Sequence, residues 1–519
     1  MRATQTLTRS VLALLLLGIA VSPGTAEAKK KKKVDDVPVV VQPAPPPPDP
    51  NAWRATPPTP GAESSWQAPV AETFTLKNGI PVYLVQRPGL PLVSVRLMIE
   101  AGRETNPKGK AGLASLTADM LDEGTATRSA LQISSDATGL GAELSTSANS
   151  DYAEIALDAL TGDTLAASLD LLADVALKPK FDSKEFARVQ KETLAQLQNL
   201  ASDPRDIANR QFARQIFGKD HPYGTPSIGD TASVKSLKVA DVQAYYKTWY
   251  TPANTAIVLS GAISAADAKT MLDARFGAWT KPSIKRPTVA APATPLKTRV
   301  VFIEQKGAVQ SILRVGTTGV SRTGPEYWNA NLAGTITAGM FSSRINMNLR
   351  EEHEWSYGAG GGFSDARDFG TFTVRTSVQA DKTAEAIDQI LIELKAAASK
   401  PPADADLKLA RDSLLKSLAG NFDTNENTAA AFEQVPDFGL GTDMWQQYVK
   451  DANAALPDGI YAAAKGYFAP ERQIIVVVGP KTVTIDDKDA DGKPIKVDVP
   501  VMENVKKLAT QDGFEFVGP

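Results

Sequence analysis

The chain has 519 residues, 56 basic and 59 acidic side chains, two histidines and no cysteine. Its near-balanced charge argues against a nucleic-acid surface, and the absence of cysteine excludes disulfide staples and thiol catalysis. His221 and His353 stand 132 positions apart, so neither belongs to a two-histidine metal motif.

The N-terminus reads as an export signal. Arg2 and Arg9 make a basic start, residues 11–21 an apolar run, and Ala26-Glu27-Ala28 an A-x-A cleavage pattern. The run is shorter than the roughly 20 residues that span a bilayer. With no cysteine behind it, a lipid anchor is excluded. Removal of residues 1–28 and a periplasmic location without a membrane span are therefore expected; a retained anchor is the competing reading. Residues 29–70 carry Lys29 to Lys33 and Pro45 to Pro48, a composition that favours a solvated tail and an extended spacer over a core.

The globular sequence begins near Ala71. Phe74–Leu76 and Val82–Val85 flank Asn78-Gly79, a hairpin signal. An alternating strand runs from Leu92 to Gly102, and Leu113, Leu116, Met120 and Leu121 follow helical spacing. Residues 141–147 alternate again. A helix over 164–176 stops at Pro179. Another opens at Asp182, with Glu185 completing a capping pattern and Phe186, Val189, Leu194 and Leu197 turned inward. Residues 281–298, with Pro282, Pro287, Pro292 and Pro295, read as a linker.

The second stretch repeats the first. Pro252 and Pro470 are 218 positions apart, as are Gly261 and Gly479; Gly102 and Gly319, and Asp241 and Asp458, are 217 apart. Landmarks within one residue of a common offset mark a duplication. Strand-rich and helix-rich stretches are segregated, which predicts an α+β class. The predicted domains are 71–280 and 299–480, followed by a C-terminal hairpin and tail over 481–519.

These landmarks resemble the pitrilysin/insulinase family of zinc metallopeptidases, which includes mitochondrial processing peptidase. The resemblance rests on Phe74-Thr75-Leu76-Lys77-Asn78-Gly79, Ala101-Gly102-Arg103, Gly112-Leu113-Ala114, Met120-Leu121 with Gly124-Thr125, His221-Pro222-Tyr223-Gly224, and Tyr250 with Pro252 and Asn254. It implies two duplicated α/β-roll domains forming half of a clamshell. Family enzymes carry H-x-x-E-H directly after G-L-A: histidines at i and i+4 share a helix face and hold zinc, and the glutamate serves the metal-bound water as base. A further glutamate 77 positions on completes the set.

On that pattern the histidine positions are Ser115 and Asp119, the base position is Ala118, and the last ligand position is Gln196. One carboxylate does not define a tetrahedral zinc site. No metal and no other cofactor is expected on this chain, and zinc is expected only on a partner. The resemblance also implies an arginine and a tyrosine seven residues later in the second half, which bind substrate and stabilise the transition state. Arg350 and Tyr357 match that spacing. The competing reading has Arg350 capping a helix and Tyr357 packed in a strand core. Peptide addition to an edge strand would fall on Ser145, Thr146 and Ser147, although family enzymes show asparagine-alanine there; an ordinary alternating strand fits these residues equally.

Two local patterns compete for metal. His353-Glu354-Trp355-Ser356-Tyr357 has the length of H-E-x-x-H without its last histidine. Asp487-Lys488-Asp489-Ala490-Asp491-Gly492 opens like a calcium loop, yet β-like runs flank it, so a hairpin tip competes with calcium. The resulting expectation is the non-metal subunit of a heterodimeric zinc peptidase, acting on peptides with a zinc-bearing homologue and lending it Arg350 and Tyr357. The alternative is a non-catalytic peptide-binding or structural scaffold subunit. No nucleic-acid partner is expected.

Overall fold

Asn78-Gly79 turns the chain back on itself, with Gly79 at φ 92, in the left-handed region that favours glycine. The Asn78 amide also donates to the carbonyls of Phe276 and Trp279 at 2.9 and 3.1 Å, which ties the hairpin to a helix end almost 200 residues away. The computed structural model describes residues 51–56, 58–59, 61, 66–282, 284–293 and 297–519. The export signal, the lysine run and the proline run lie outside the described residues. The chain divides into two units at Ser64 and Ser65. Within the first unit, Ala52–Ala55 forms a 3-10 turn.

The second unit carries two six-stranded mixed sheets. The first contains β1 (Glu72–Thr75), β2 (Pro81–Gln86), β3 (Leu92–Ile99), β4 (Glu143–Ala148), β5 (Ala153–Leu160) and β6 (Thr255–Gly261), in the order β1-β2-β6-β3-β5-β4. The second contains β7 (Arg299–Glu304), β8 (Gln310–Thr318), β9 (Ser356–Phe363), β10 (Thr371–Gln379), β11 (Ile474–Gly479) and, after the hairpin described below, β14 (Glu515–Val517). Its order is β14-β7-β11-β8-β10-β9. The first sheet has one parallel pair, β2 with β6, and the second has two, β7 with β11 and with β14; the remaining pairs are antiparallel.

The duplication holds residue by residue. Ser94 pairs with Ser260 in the first sheet, and Ile312 with Val478 in the second; both members shift by 218. Val82 opposite Ile257 likewise becomes Val300 opposite Ile475. Each sheet buries one face under its own helices around an apolar core, with Leu97, Ile99 and Leu116 in the first and Leu313, Val315 and Phe372 in the second.

The other face of each sheet is covered by a helix from the opposite half. Helix Pro204–Phe217 sets Ala208, Phe212 and Ile216 on Val301, Ile312, Val476 and Val478 of the second sheet. Helix Asn425–Phe432 sets Ala429 and Phe432 on Val85, Met98 and Val258 of the first. The halves are thus joined by exchange of a helix.

Residues 481–519, read as hairpin and tail, form more than that. β12 (Val483–Lys488) and β13 (Pro494–Val499) pair as a hairpin with Asp489 to Gly492 at its tip. Helix Val501–Gln511 then buries Val501, Val505 and Ala509 in the second core, and β14 runs parallel to β7 at the sheet edge. Among the described residues no helix is long and apolar enough to cross a membrane.

Candidate functional site

The helix that follows Gly112 spans Leu113–Asp119. Gly112 takes φ 90, and a β-carbon there would lie 2.6 Å from the carbonyl oxygen of Ile228. The glycine therefore lets the helix start hard against the 226–229 loop. Ser115 is turned into that contact: its hydroxyl donates to the Ser227 carbonyl at 2.9 Å, and only 5% of the residue is exposed. Ala118 is fully buried. Burial, with Asp122 and Glu123 alongside, pushes the Asp119 carboxyl up to about 6. Burial likewise raises Asp122 to about 6, while the Thr146 hydroxyl bonds to it and holds it lower than burial alone would.

Gln196 lies on helix Ser183–Ser202, which packs against the Leu113–Asp119 helix, but its own side chain is exposed. The inward face of the longer helix is Phe186, Val189, Thr193 and Leu197; Leu194, expected inward, is half-buried. Asp182 caps this helix by accepting from the Lys184 N–H at 2.9 Å, while Glu185 binds Arg188 instead of closing a capping box. The residues present do not fit a zinc ion. The hydroxyl is committed to a backbone carbonyl, the base position is a methyl, one acidic donor is left, and the amide points to solvent. Among the described residues no group of three His, Cys, Asp or Glu side chains is placed to hold a metal.

Strand β4 leaves one edge of the first sheet unpaired. Ser145 and Ser147 are exposed on one face, and Thr146 points the other way, toward Asp122 beside the degenerate motif. The exposed face borders a cleft of about 310 Å³ with Arg96, Glu154, Asp158 and Glu433 in its wall. Arg96 is nearly buried and ringed by carboxylates: Asp158 at 3.2 Å, Glu433 at 3.9 Å and Glu426 at 4.0 Å.

Arg350 sits on the π-helical turn Met347–Glu352, exposed, with its Nε 3.2 Å from Glu351 and its guanidinium 4.7 Å from the centre of the Phe341 ring. Tyr357 lies on β9, the free edge strand of the second sheet, and is 92% exposed. It is therefore not a strand-core residue. Among the described residues no hydrogen bond or ring contact ties the Tyr357 side chain to the chain, and none joins it to Arg350.

The two histidines are built into the scaffold. His221 Nδ1 accepts from the Tyr223 N–H at 3.0 Å, its Nε2 lies 2.9 Å from the Ala290 carbonyl, and its ring stacks on Phe217. His353 stacks on Trp355 at 4.1 Å. Sequence reasoning missed the charge arrangement on the helix-covered faces of the sheets. The offset of 218 was its available signal, since it carries Arg96 onto Arg314.

Residues 82–230 match the model of the insulinase family (peptidase family M16), and residues 236–414 match that of the M16 inactive domain. The chain is an insulinase-family homologue that lacks the zinc motif. An uncharacterized zinc protease of Mycobacterium leprae is 23% identical over 345 residues, 66% of this chain and 76% of that protein. Among solved structures, the M16 inactive domain from Pseudomonas fluorescens superposes with a TM-score of 0.73 at 23% identity, over 79% of this chain and 98% of its own. A protease from Helicobacter pylori gives 0.73 at 17% identity, over 79% of this chain and all of its own. Two sheet-containing domains of the M16 fold are thus shared with these structures. The Leu113–Asp119 helix is a packing helix, with Ser115 and Ala118 turned into the interior.

Proposed function

We propose that this insulinase-family homologue is the metal-free subunit of an exported, periplasmic two-chain peptidase, and that Arg350 and Tyr357 complete the zinc site of a homologous partner. The observation that carries this reading is the contrast between its two half-sites. At the zinc positions Ser115 and Ala118 are buried in packing and Gln196 is exposed, whereas Tyr357 stands 92% exposed on a free edge strand with Arg350 on the preceding turn. An exposed phenol and guanidinium can be aimed at an oxyanion forming on another chain, where preorganised donors stabilise the developing charge. A peptide substrate would add to the open edge of β4 along Ser145, Thr146 and Ser147.

The test is co-purification with metal analysis, followed by a peptidase assay on the pair. This chain alone should bind no stoichiometric zinc and cleave no peptide, and it should raise the activity of a zinc-bearing homologue. Arg350→Ala and Tyr357→Phe should abolish that stimulation while leaving the complex intact. Unchanged stimulation by both variants would remove the shared-site reading in favour of a scaffold subunit.

A further inference from the structure

Arg314 on β8 and Arg375 on β10 lie directly opposite each other in the antiparallel ladder of the second sheet. Side chains so placed are in contact range, and like charges there repel. Arg314 is only 6% exposed. Its Nε donates to Asn209 Oδ1 at 2.8 Å and its Nη1 to the Leu313 carbonyl at 2.8 Å. Among the described residues no carboxylate lies within ion-pair distance of either arginine, and the Arg375 side chain makes no hydrogen bond. Burial first, then the charges of Arg375 and Arg205, bring the Arg314 guanidinium down to about 10, with Asp206 acting in the opposite sense.

The duplication supplies an internal control. Arg96 is the residue 218 positions before Arg314, on the equivalent strand and face, and three carboxylates surround it. None has a counterpart. Glu426 and Glu433 map by the same offset to Ala208 and Gln215. In the sheet, Ala156 faces Arg96 where Arg375 faces Arg314, so Asp158, two residues on, maps to Ser377. One copy thus neutralises its buried arginine, and the other adds a second arginine beside it.

Both guanidinium groups wall a cleft of about 350 Å³ that Arg103, Tyr223 and Asp365 also border. Asp365 is turned to Tyr327, 3.0 Å away, and to Arg322, and Arg103 is held by the Thr225 carbonyl and Ser150. Arg375 is exposed, and Gly362 of β9, which lines the cleft, has nothing within 4 Å of where a β-carbon would lie, so the site is open to solvent on the Arg375 side. An unpaired buried charge is costly, and a planar pair of guanidinium groups matches a carboxylate.

We infer that the Arg314–Arg375 cleft is a carboxylate site that anchors a bound peptide by its C-terminal carboxylate or by an Asp or Glu side chain. This rests on the peptide-binding part of the function proposed above and needs no partner chain. Three fluorescent decapeptides with otherwise neutral side chains test it on the full chain alone. One ends in a free carboxylate, one is amidated, and one is amidated with a central Glu.

At least one carboxylate-bearing peptide should bind about tenfold more tightly than the neutral amidated one. Arg375→Gln should remove that difference, and Arg375→Lys should retain part of it. Preference for the first peptide alone identifies the C-terminus; preference for the third alone identifies an acidic side chain. Equal binding of all three, no binding of any, or discrimination that survives Arg375→Gln overturns the site. Because the assay contains no zinc-bearing partner, failure of the stimulation test would leave this result standing, and the reverse also holds.

Discussion

Arg286 ties the two halves of the molecule together through two acidic residues at once. Its Nη1 donates to Glu104, fully buried at the end of the β3 region, at 2.7 Å. Its Nη2 lies 2.9 Å from both carboxylate oxygens of Asp368, in the loop between β9 and β10. The segment between the sheets, read from its prolines as a spacer, is therefore a clamp. Removing Arg286 leaves Glu104 with Arg367, 4.0 Å away, as its remaining cation. Burial raises the Glu104 carboxyl to about 8 even with Arg286 beside it, so Arg286→Ala should shift Glu104 to its protonated form and cost the lost charge-assisted bonds, about 1.5–3 kcal/mol. Denaturant unfolding of Arg286→Ala against Arg286→Ala with Glu104→Gln checks this. The double variant should recover part of the loss, and identical losses would show that Glu104 needs no cation.

The exchanged helices make a second prediction. Phe432 is fully buried beneath the first sheet and Phe212 is 5% exposed beneath the second. Either change to alanine removes a large apolar side chain and leaves a cavity, a loss of about 3–5 kcal/mol. Because each helix spans the junction between halves, both variants should also open the junction to protease. Limited proteolysis should cut near the 281–298 segment faster in Phe212→Ala and Phe432→Ala than in the parent. Destabilisation without faster cutting there would mean that the halves do not depend on the exchange.

How much of this could be read in advance follows the range of the interactions. The Asn78-Gly79 hairpin and the Asp182 cap are local, and the repeat offset is a sum of local signals, so the sequence exposed them. The ring of carboxylates around Arg96 comes from Asp158 and from Glu426 and Glu433, more than 300 positions away, and no periodicity reports such distances. β14 was hidden for the same reason, since Glu515 pairs beside Arg299 across 216 residues. The degenerate motif was legible as a list of substitutions. The consequence of each, such as the Ser115 hydroxyl locked onto Ser227, required packing to be seen.

Asp119 gives a pH dependence. Its carboxyl stands at about 6 in the fold against roughly 3.9 in an unfolded chain. The folded pKa is the higher, so the folded state holds the proton more tightly. The stabilisation is complete below about pH 4 and is lost as pH rises through 6. Asp119→Asn should then be more stable than the parent at pH 7.5, by about 1–3 kcal/mol, and no more stable at pH 4. Thermal unfolding across that range measures it. A gain that persists at pH 4 would place the effect in packing instead of charge.

Restoring histidine at the first degenerate position should fail for a steric reason. Ser115 is 5% exposed, donates to the Ser227 carbonyl, and belongs to a helix whose start touches the Ile228 carbonyl across a gap that only glycine at 112 permits. An imidazole there must displace the 226–229 loop, an overpacking cost of about 1–3 kcal/mol, and it also breaks the serine hydrogen bond. Ser115→His alone should therefore lower the unfolding midpoint without conferring zinc affinity. Asp119→His, at a position only partly enclosed, should be better tolerated. Equilibrium unfolding with and without zinc separates the cases. A Ser115→His protein as stable as the parent, and further stabilised by zinc, would mean that the metal pocket survives beneath the changed side chains.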